Sequence, residues 1–227
     1  NTLRGVDTRN VFNHNTKHTD ASKKRGELMS KLVNGIGTNE GKYLAVKDGK
    51  PTKEYRAWKD MLFRCTEKCW IKNPSYTGTT CSENFKNYSF FYEWCNKQVG
   101  FGFIDEKGRK WALDKDLLIK GNRVYSEDTC VFVAKRVNLL LTKSDASRGC
   151  YPIGVYWIKS RNRFRSLCGN GIGKLEHLGY FDTEKEAFLA YKTFKEALIK
   201  EVANEYKEQL DERAYEALVQ YEVEITD

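Results

Sequence analysis

Arg163 and Arg165 stand two apart in the segment RFRSLC. In an extended chain both project to one side, with Phe164, Ser166 and Cys168 on the other. Guanidinium forks so arranged match phosphate oxygens and the guanine edge of a base pair. Residues 151–180 carry Lys159, Arg161, Arg163, Arg165 and Lys174 against Glu176 alone, whereas the chain from Glu196 onward is dense in acidic residues. The formal net charge is +8. Such a balance favours a polyanionic partner, because phosphate neutralisation releases counterions. The plainer alternative is a solvated sheet face with no ligand.

Seven cysteines occur, at Cys65, Cys69, Cys81, Cys95, Cys130, Cys150 and Cys168. An odd number at irregular spacing points to reduced thiols in a cytosolic compartment. Cys65, Cys69, Cys81 and Cys95 are enough thiolates for structural zinc. Their spacing is not the C-x-x-C knuckle, however, and Cys65 and Cys95 fall on apolar helix faces, so buried thiols are expected instead. Gly169, Gly171 and Gly173 read as a strand-connecting turn, not a phosphate loop, since no helix follows. Histidine is confined to His14, His18 and His177.

The elements that must position these groups predict an α+β chain. Residues 1–28, with the basic SKKRG stretch, read as a polar arm, and the N-terminus lacks the apolar stretch of a secretory signal. No run of about 18 apolar residues appears, which argues against a membrane span. A strand is expected over Lys42–Lys47. Thr52 caps a helix over Lys53–Lys68, with Tyr55, Trp58, Met61, Leu62 and Cys65 at helical spacing. Residues 73–80 read as a loop. Ser82 then opens a helix whose apolar face carries Phe85, Tyr88, Phe91, Tyr92 and Cys95. Residues 110–142 read as strand (KWALDKDLLI), loop (KGNRVYSEDT), strand (CVFV) and helix (AKRVNLLLT), followed by the link KSDASRG. Three short strands follow, GVYWIK, RFRSLC and KLEHLGYF. Thr183 and Glu186 then form a capping box for a helix running to Leu210, with Phe188, Tyr191, Phe194, Leu198 and Val202 as its buried stripe. The tail YEVEITD alternates like an edge strand.

The stretch from Gly154 to Lys195 resembles the APETALA2/ERF-type DNA-binding domain, including its phage-encoded relatives. The likeness rests on the opening Gly-Val, the arginine-bearing strand, the LG-aromatic-Phe-Asp-Thr turn and the EAFLAY helix. It implies a three-stranded sheet packed on one long helix and lying in the major groove of duplex DNA. Tyr156, Ile158, Arg163, Arg165 and His177 would face the DNA, with Lys159 and Lys174 on phosphates. The plant proteins have arginines where this chain has Tyr156 and Ile158, so base preference does not carry over.

The string LDKDLLIKGNRVYSEDTCVFVAKRVN resembles the ββα-metal core of HNH endonucleases, in the form found in many phage proteins. Together with the C-terminal module it is similar to phage homing-type endonucleases, which implies the cytoplasm of an infected bacterial host. The resemblance implies Asp114 and Asn138 as ligands to Mg²⁺ or another divalent cation, and Asn122 as the residue orienting the loop. Lys115 stands where the family has its base histidine. Phosphodiester hydrolysis needs a metal to stabilise the leaving oxygen and a base to activate water, and a lysine of pKa about 10.4 is protonated at neutral pH. The base would be Lys115 with its pKa lowered by burial, or Asp116; Tyr125, or His14 or His18 from the arm, are further alternatives. Lys115 could instead clamp a phosphate, and Asp114 and Asp116 could be strand-end carboxylates paired with Arg123 or Lys120.

The expected organisation is an arm and small β segment over 1–52, an HNH-like domain over 53–143 and the DNA-binding domain with its helical extension over 150–227. The leading functional expectation is a metal-dependent DNA endonuclease with a diverged active site. A catalytically inactive DNA-binding regulator is the second. The third is a phage protein that inhibits a host defence enzyme through protein contacts, using the acidic last helix.

Overall fold

A computed structural model describes residues 32–142 and 149–227; the N-terminal arm, with His14, His18 and the SKKRG stretch, and most of the KSDASRG link lie outside the described residues. The fold is mixed α+β, with small sheets and seven α-helices among the described residues. None of the described helices is long and apolar enough to cross a membrane.

The first strand is shorter than expected. Only β1 (Val46–Lys47) pairs, antiparallel with β2 (Lys50–Pro51). Asp48 and Gly49 between them both take positive φ (51° and 71°), the combination a two-residue hairpin turn requires. The Thr52 N–H still donates to the Ala45 carbonyl at 3.0 Å, but Thr52 already caps α1 (Lys53–Arg64) by accepting from the Tyr55 N–H.

The helix expected to reach Lys68 is broken. Thr66 adopts an extended conformation and caps a new helix, α2 (Glu67–Lys72), through a hydrogen bond from the Cys69 N–H. The helix expected from Ser82 divides likewise into α3 (Glu83–Lys86) and α4 (Tyr88–Cys95), because the Asn87 side chain accepts from the Ser89 and Phe90 N–H groups and restarts the chain. Side-chain caps of this kind compete with helix continuation, and apolar spacing alone does not reveal them.

In the central region, β4 (Ala112–Asp114) pairs antiparallel with β6 (Val131–Val133), and α5 (Lys135–Leu141) follows. The intervening loop contains a strand that was not expected, β5 (Val124–Tyr125), paired parallel with β3 (Thr80–Cys81). Side chains of β6 alternate between two cores. Phe132 joins an aromatic-rich core with Trp58, Phe85, Phe91 and Trp94. Val131 and Val133 join a second core with Val137, Leu140, Leu198, Ile199, Val202 and Leu218.

The C-terminal sheet has the order β7 (Val155–Ile158), β8 (Arg163–Gly169) and β9 (Leu175–Phe181), all antiparallel, with Gly169–Gly173 in or beside the β8–β9 turn. The helix α6 (Glu184–Glu205) begins with the expected capping box of Thr183 and Glu186. Its first half packs Ala187, Phe188 and Tyr191 on the sheet, and its second half packs Leu198, Ile199 and Val202 on the central region. One core thus crosses the boundary expected near residues 143–150.

The helix stops at Glu205 rather than Leu210, and a further helix, α7 (Glu212–Val219), is capped by Asp211. The tail is not an edge strand. Its Val223 N–H donates to Glu196 Oε1 at 2.8 Å and its Val223 carbonyl accepts from Lys192 Nζ at 2.7 Å, so side chains satisfy the backbone that a neighbouring strand would have paired.

Candidate nucleic-acid interface and central loop

Antiparallel register sets Tyr156 opposite Arg165, and Arg165 opposite Tyr180, in one row across the three strands. Val155, Ser166 and Cys168 are buried towards α6, which leaves the Arg165 side as the outward face. The Arg165 guanidinium lies 5.9 Å from the Tyr156 ring centre, and that of Arg161 lies 4.7 Å from the Tyr180 ring centre. Cation–π contacts of this kind hold guanidinium groups flat and restrict their rotamers. The buried Nε of Arg165 has no hydrogen-bond partner.

A β-bulge completes the cluster. Leu167 pairs with His177 and Ser166 with Gly179, so Leu178 is the extra residue on β9. Strict alternation would place His177 and Tyr180 on opposite faces; the bulge brings them to the same face, with rings 4.9 Å apart. Gly179 has φ of +134°, a conformation that disfavours any residue with a Cβ.

The remaining residues expected to face DNA behave differently from one another. Arg163 is held by Asp182, with Nε 2.8 Å and Nη2 2.7 Å from Oδ1, in an exposed pair. Ile158 lies opposite Arg163 and is half-buried. Lys174 pairs with Glu176 at 3.4 Å, and Lys159 is exposed in the short turn before β8. Tyr180 was not among the residues expected to face DNA, because the alternation that exposes His177 hides it.

In the central loop, Lys115 is buried at 7% exposure. Its Nζ donates to the Asn122 carbonyl at 2.9 Å and lies 3.2 Å from Asp116 Oδ2. The Asn122 amide donates back to the Lys115 carbonyl at 2.7 Å and to the Val124 carbonyl at 2.8 Å, while its Oδ1 accepts from the Val124 N–H. Asn122 therefore clasps the two ends of the loop together. Asp114 ends β4 early, because its Oδ1 accepts from the N–H groups of Asp116 and Leu117 and turns the chain. Burial, reinforced by the neighbouring Asp116 charge, pushes the Asp114 carboxyl up to about 6. Burial also pushes the Tyr125 phenol up, and its oxygen accepts from Arg64.

The groups expected to hold a divalent ion are engaged otherwise. One Asp114 oxygen is committed to two backbone donors. The Lys115 ammonium already neutralises Asp116. Asn138 is half-buried on α5, and no hydrogen bond joins its side chain to Asp114. Lys120 pairs with Asp227 and Glu224, and Arg123 donates to the Thr77 carbonyl, so neither is the expected partner of Asp114 or Asp116.

Of the cysteines, Cys69, Cys95, Cys130 and Cys168 are buried, while the interaction between the thiols of Cys65 and Cys81 raises the pKa of the first and lowers that of the second. Among the described residues, no three His, Cys, Asp or Glu side chains converge as a metal-holding group. Comparison with protein-family models, curated proteins and solved structures finds no match to this chain.

Proposed function

We propose that this protein binds duplex DNA through the outward face of β7–β9 and holds it without cutting. The observation that carries this reading is the bulge-aligned cluster of Tyr156, Arg165, Tyr180, His177 and Arg161 on one face, with exposed Lys159 and Lys174 in the turns at either end of β8. A three-stranded sheet has a shape that enters the major groove, where arginine forks meet guanine edges. Arg165, braced against Tyr156, pays little further rotamer entropy on binding. The Arg163–Asp182 pair is exposed and worth at most about 1 kcal/mol, so a phosphate can take over that guanidinium. The resemblance to the APETALA2/ERF-type domain agrees with this face and this polarity.

Cleavage is the second reading. The order β4, loop, β6, α5 and the Asn122 clasp favour it, since they are the parts of a ββα-metal core that do not depend on the metal. The chemistry of Lys115 and Asp114 favours holding. Fluorescence anisotropy with a labelled duplex tests the first reading. Arg165→Ala should weaken binding by about 1–3 kcal/mol, and Lys159→Ala should lower the salt slope by about one. Unchanged affinity in both variants sinks the proposal. Supercoiled plasmid incubated with Mg²⁺ or Mn²⁺ should stay supercoiled; nicking that Asp114→Ala abolishes would restore the enzymatic reading.

A further inference from the structure

Arg64, the last residue of α1, stands one helical turn after Asp60, the spacing of a helix-surface ion pair. That pair does not form. The side chain turns inward, where Nη1 donates to the Tyr125 hydroxyl at 3.2 Å and to the Leu113 carbonyl at 3.5 Å. Its guanidinium carbon lies 5.6 Å from the Tyr76 ring centre. No carboxylate lies within ion-pair distance of this half-buried cation among the described residues. A cation partly withdrawn from water without a counter-charge gains from an anion placed beside it.

The space for one is beside it. A cavity of about 250 Å³ is lined by Asp60, Phe63, Arg64, Cys69, Asn73 and Tyr76. Nε and Nη2 of Arg64 have no hydrogen-bond partner among the described residues, and the guanidinium fork matches two oxygens of a tetrahedral oxyanion. Tyr76 and Asn73 line the same cavity; the Asn73 amide donates to Cys69 Sγ at 3.8 Å and keeps a second N–H, and Tyr76 carries a hydroxyl, both donors that suit phosphate oxygens. The loop bearing Tyr76 is fixed from its other side, where Arg123 Nη1 donates to the Ser75 and Thr77 carbonyls. Asp60 is exposed and sets a limit on affinity by like-charge repulsion.

We infer that Arg64, with Tyr76 and Asn73, forms a phosphate-binding site separate from the sheet face, taking either a free phosphate group or a phosphate of a nucleic-acid backbone. The site does not depend on the sheet reading, because none of its residues belongs to β7–β9.

Isothermal titration of the full chain with inorganic phosphate at constant ionic strength tests it. The wild-type protein should bind, and Arg64→Gln should lose roughly tenfold or more in affinity, the scale of a charge-assisted fork. Because Arg64→Gln also removes the bond to Tyr125, Asp60→Asn is the second variant. It alters an exposed side chain and should tighten phosphate binding by roughly threefold to tenfold, as loss of one nearby like charge predicts. The double variant Arg163→Ala/Arg165→Ala should bind phosphate as the wild type does, even if its DNA affinity collapses. Competition by a short duplex would assign the site to backbone phosphate, and absence of competition to a free phosphate group. Equal affinity in wild type, Arg64→Gln and Asp60→Asn, or no binding even by Asp60→Asn, overturns the site.

Discussion

His177 and Tyr180 lie three residues apart on one strand, yet their rings sit 4.9 Å apart on the same face of the sheet. The extra residue Leu178 and the φ of +134° at Gly179 make this arrangement. A regular strand would turn one of the two rings towards α6.

Gly179→Ala is therefore expected to damage the interface as well as the fold. Holding a residue with a Cβ at this φ costs about 1–3 kcal/mol, and the added methyl would meet the Phe181 ring at 3.2 Å. Urea denaturation should register the loss, and DNA affinity should fall further than stability explains. Tyr180→Ala should lose affinity with little change in stability. Wild-type binding by both variants would mean that the bulge serves only packing.

Asp182→Asn should strengthen DNA binding. Asp182 holds the Arg163 guanidinium through two nitrogens, and the amide releases that charge to a phosphate. The expected gain is at most about 1 kcal/mol, or roughly fivefold, with a steeper dependence on salt. Weaker binding by this variant would show that Asp182 positions Arg163 for contact rather than occupying it.

The stability of the protein should depend on pH through Asp114. Its folded-state pKa of about 6 lies above the ordinary aspartate value, so the native state retains a proton that the unfolded chain releases. That contribution is present in full below about pH 4 and is lost as pH rises through about 6. Asp114→Asn keeps an oxygen for the two N–H donors and removes the titration. It should gain on the order of 2 kcal/mol over the wild type at pH 8, with the gap narrowing towards pH 4. Guanidinium unfolding at both pH values measures this, and a gap of constant size would exclude Asp114 as the source.

Asn122→Ala should destabilise the central loop by about 2–4 kcal/mol, since it removes two donated bonds and one accepted bond while leaving the Lys115 carbonyl in a closed environment. Amide hydrogen exchange should show faster exchange at Asp116 and Leu117, whose N–H groups depend on the same turn. Unchanged exchange there would mean that Asp114 alone holds the turn.

Ile199→Ala should cost about 2–5 kcal/mol and unfold the sheet together with the central region, because Ile199 packs in the core that joins α6 to Val131, Val133 and Leu140. Tryptophan fluorescence and far-ultraviolet circular dichroism should follow one transition. Two separated transitions would place a domain boundary within α6.

The sequence by itself determined the α+β character, the Thr183–Glu186 capping box, the three-strand C-terminal sheet and the shared side of β8 on which Arg163 and Arg165 stand. Each depends on spacing within a few residues, where local sterics and hydrogen bonding decide the outcome. The broken helices at Thr66 and Asn87 were also local, but there a polar side chain outcompeted an apolar period that ran through it. Tertiary structure alone decided the rest. Which face Tyr180 shares depends on a bulge defined only by pairing with β8, and the partner of Arg163 depends on where Asp182 lands after β9. That Lys115 meets Asn122, and Arg64 meets Tyr125 instead of Asp60, depends on contacts between residues far apart in the chain. Periodicity reports which side of an element is buried; it carries no information about the distant group that side will meet.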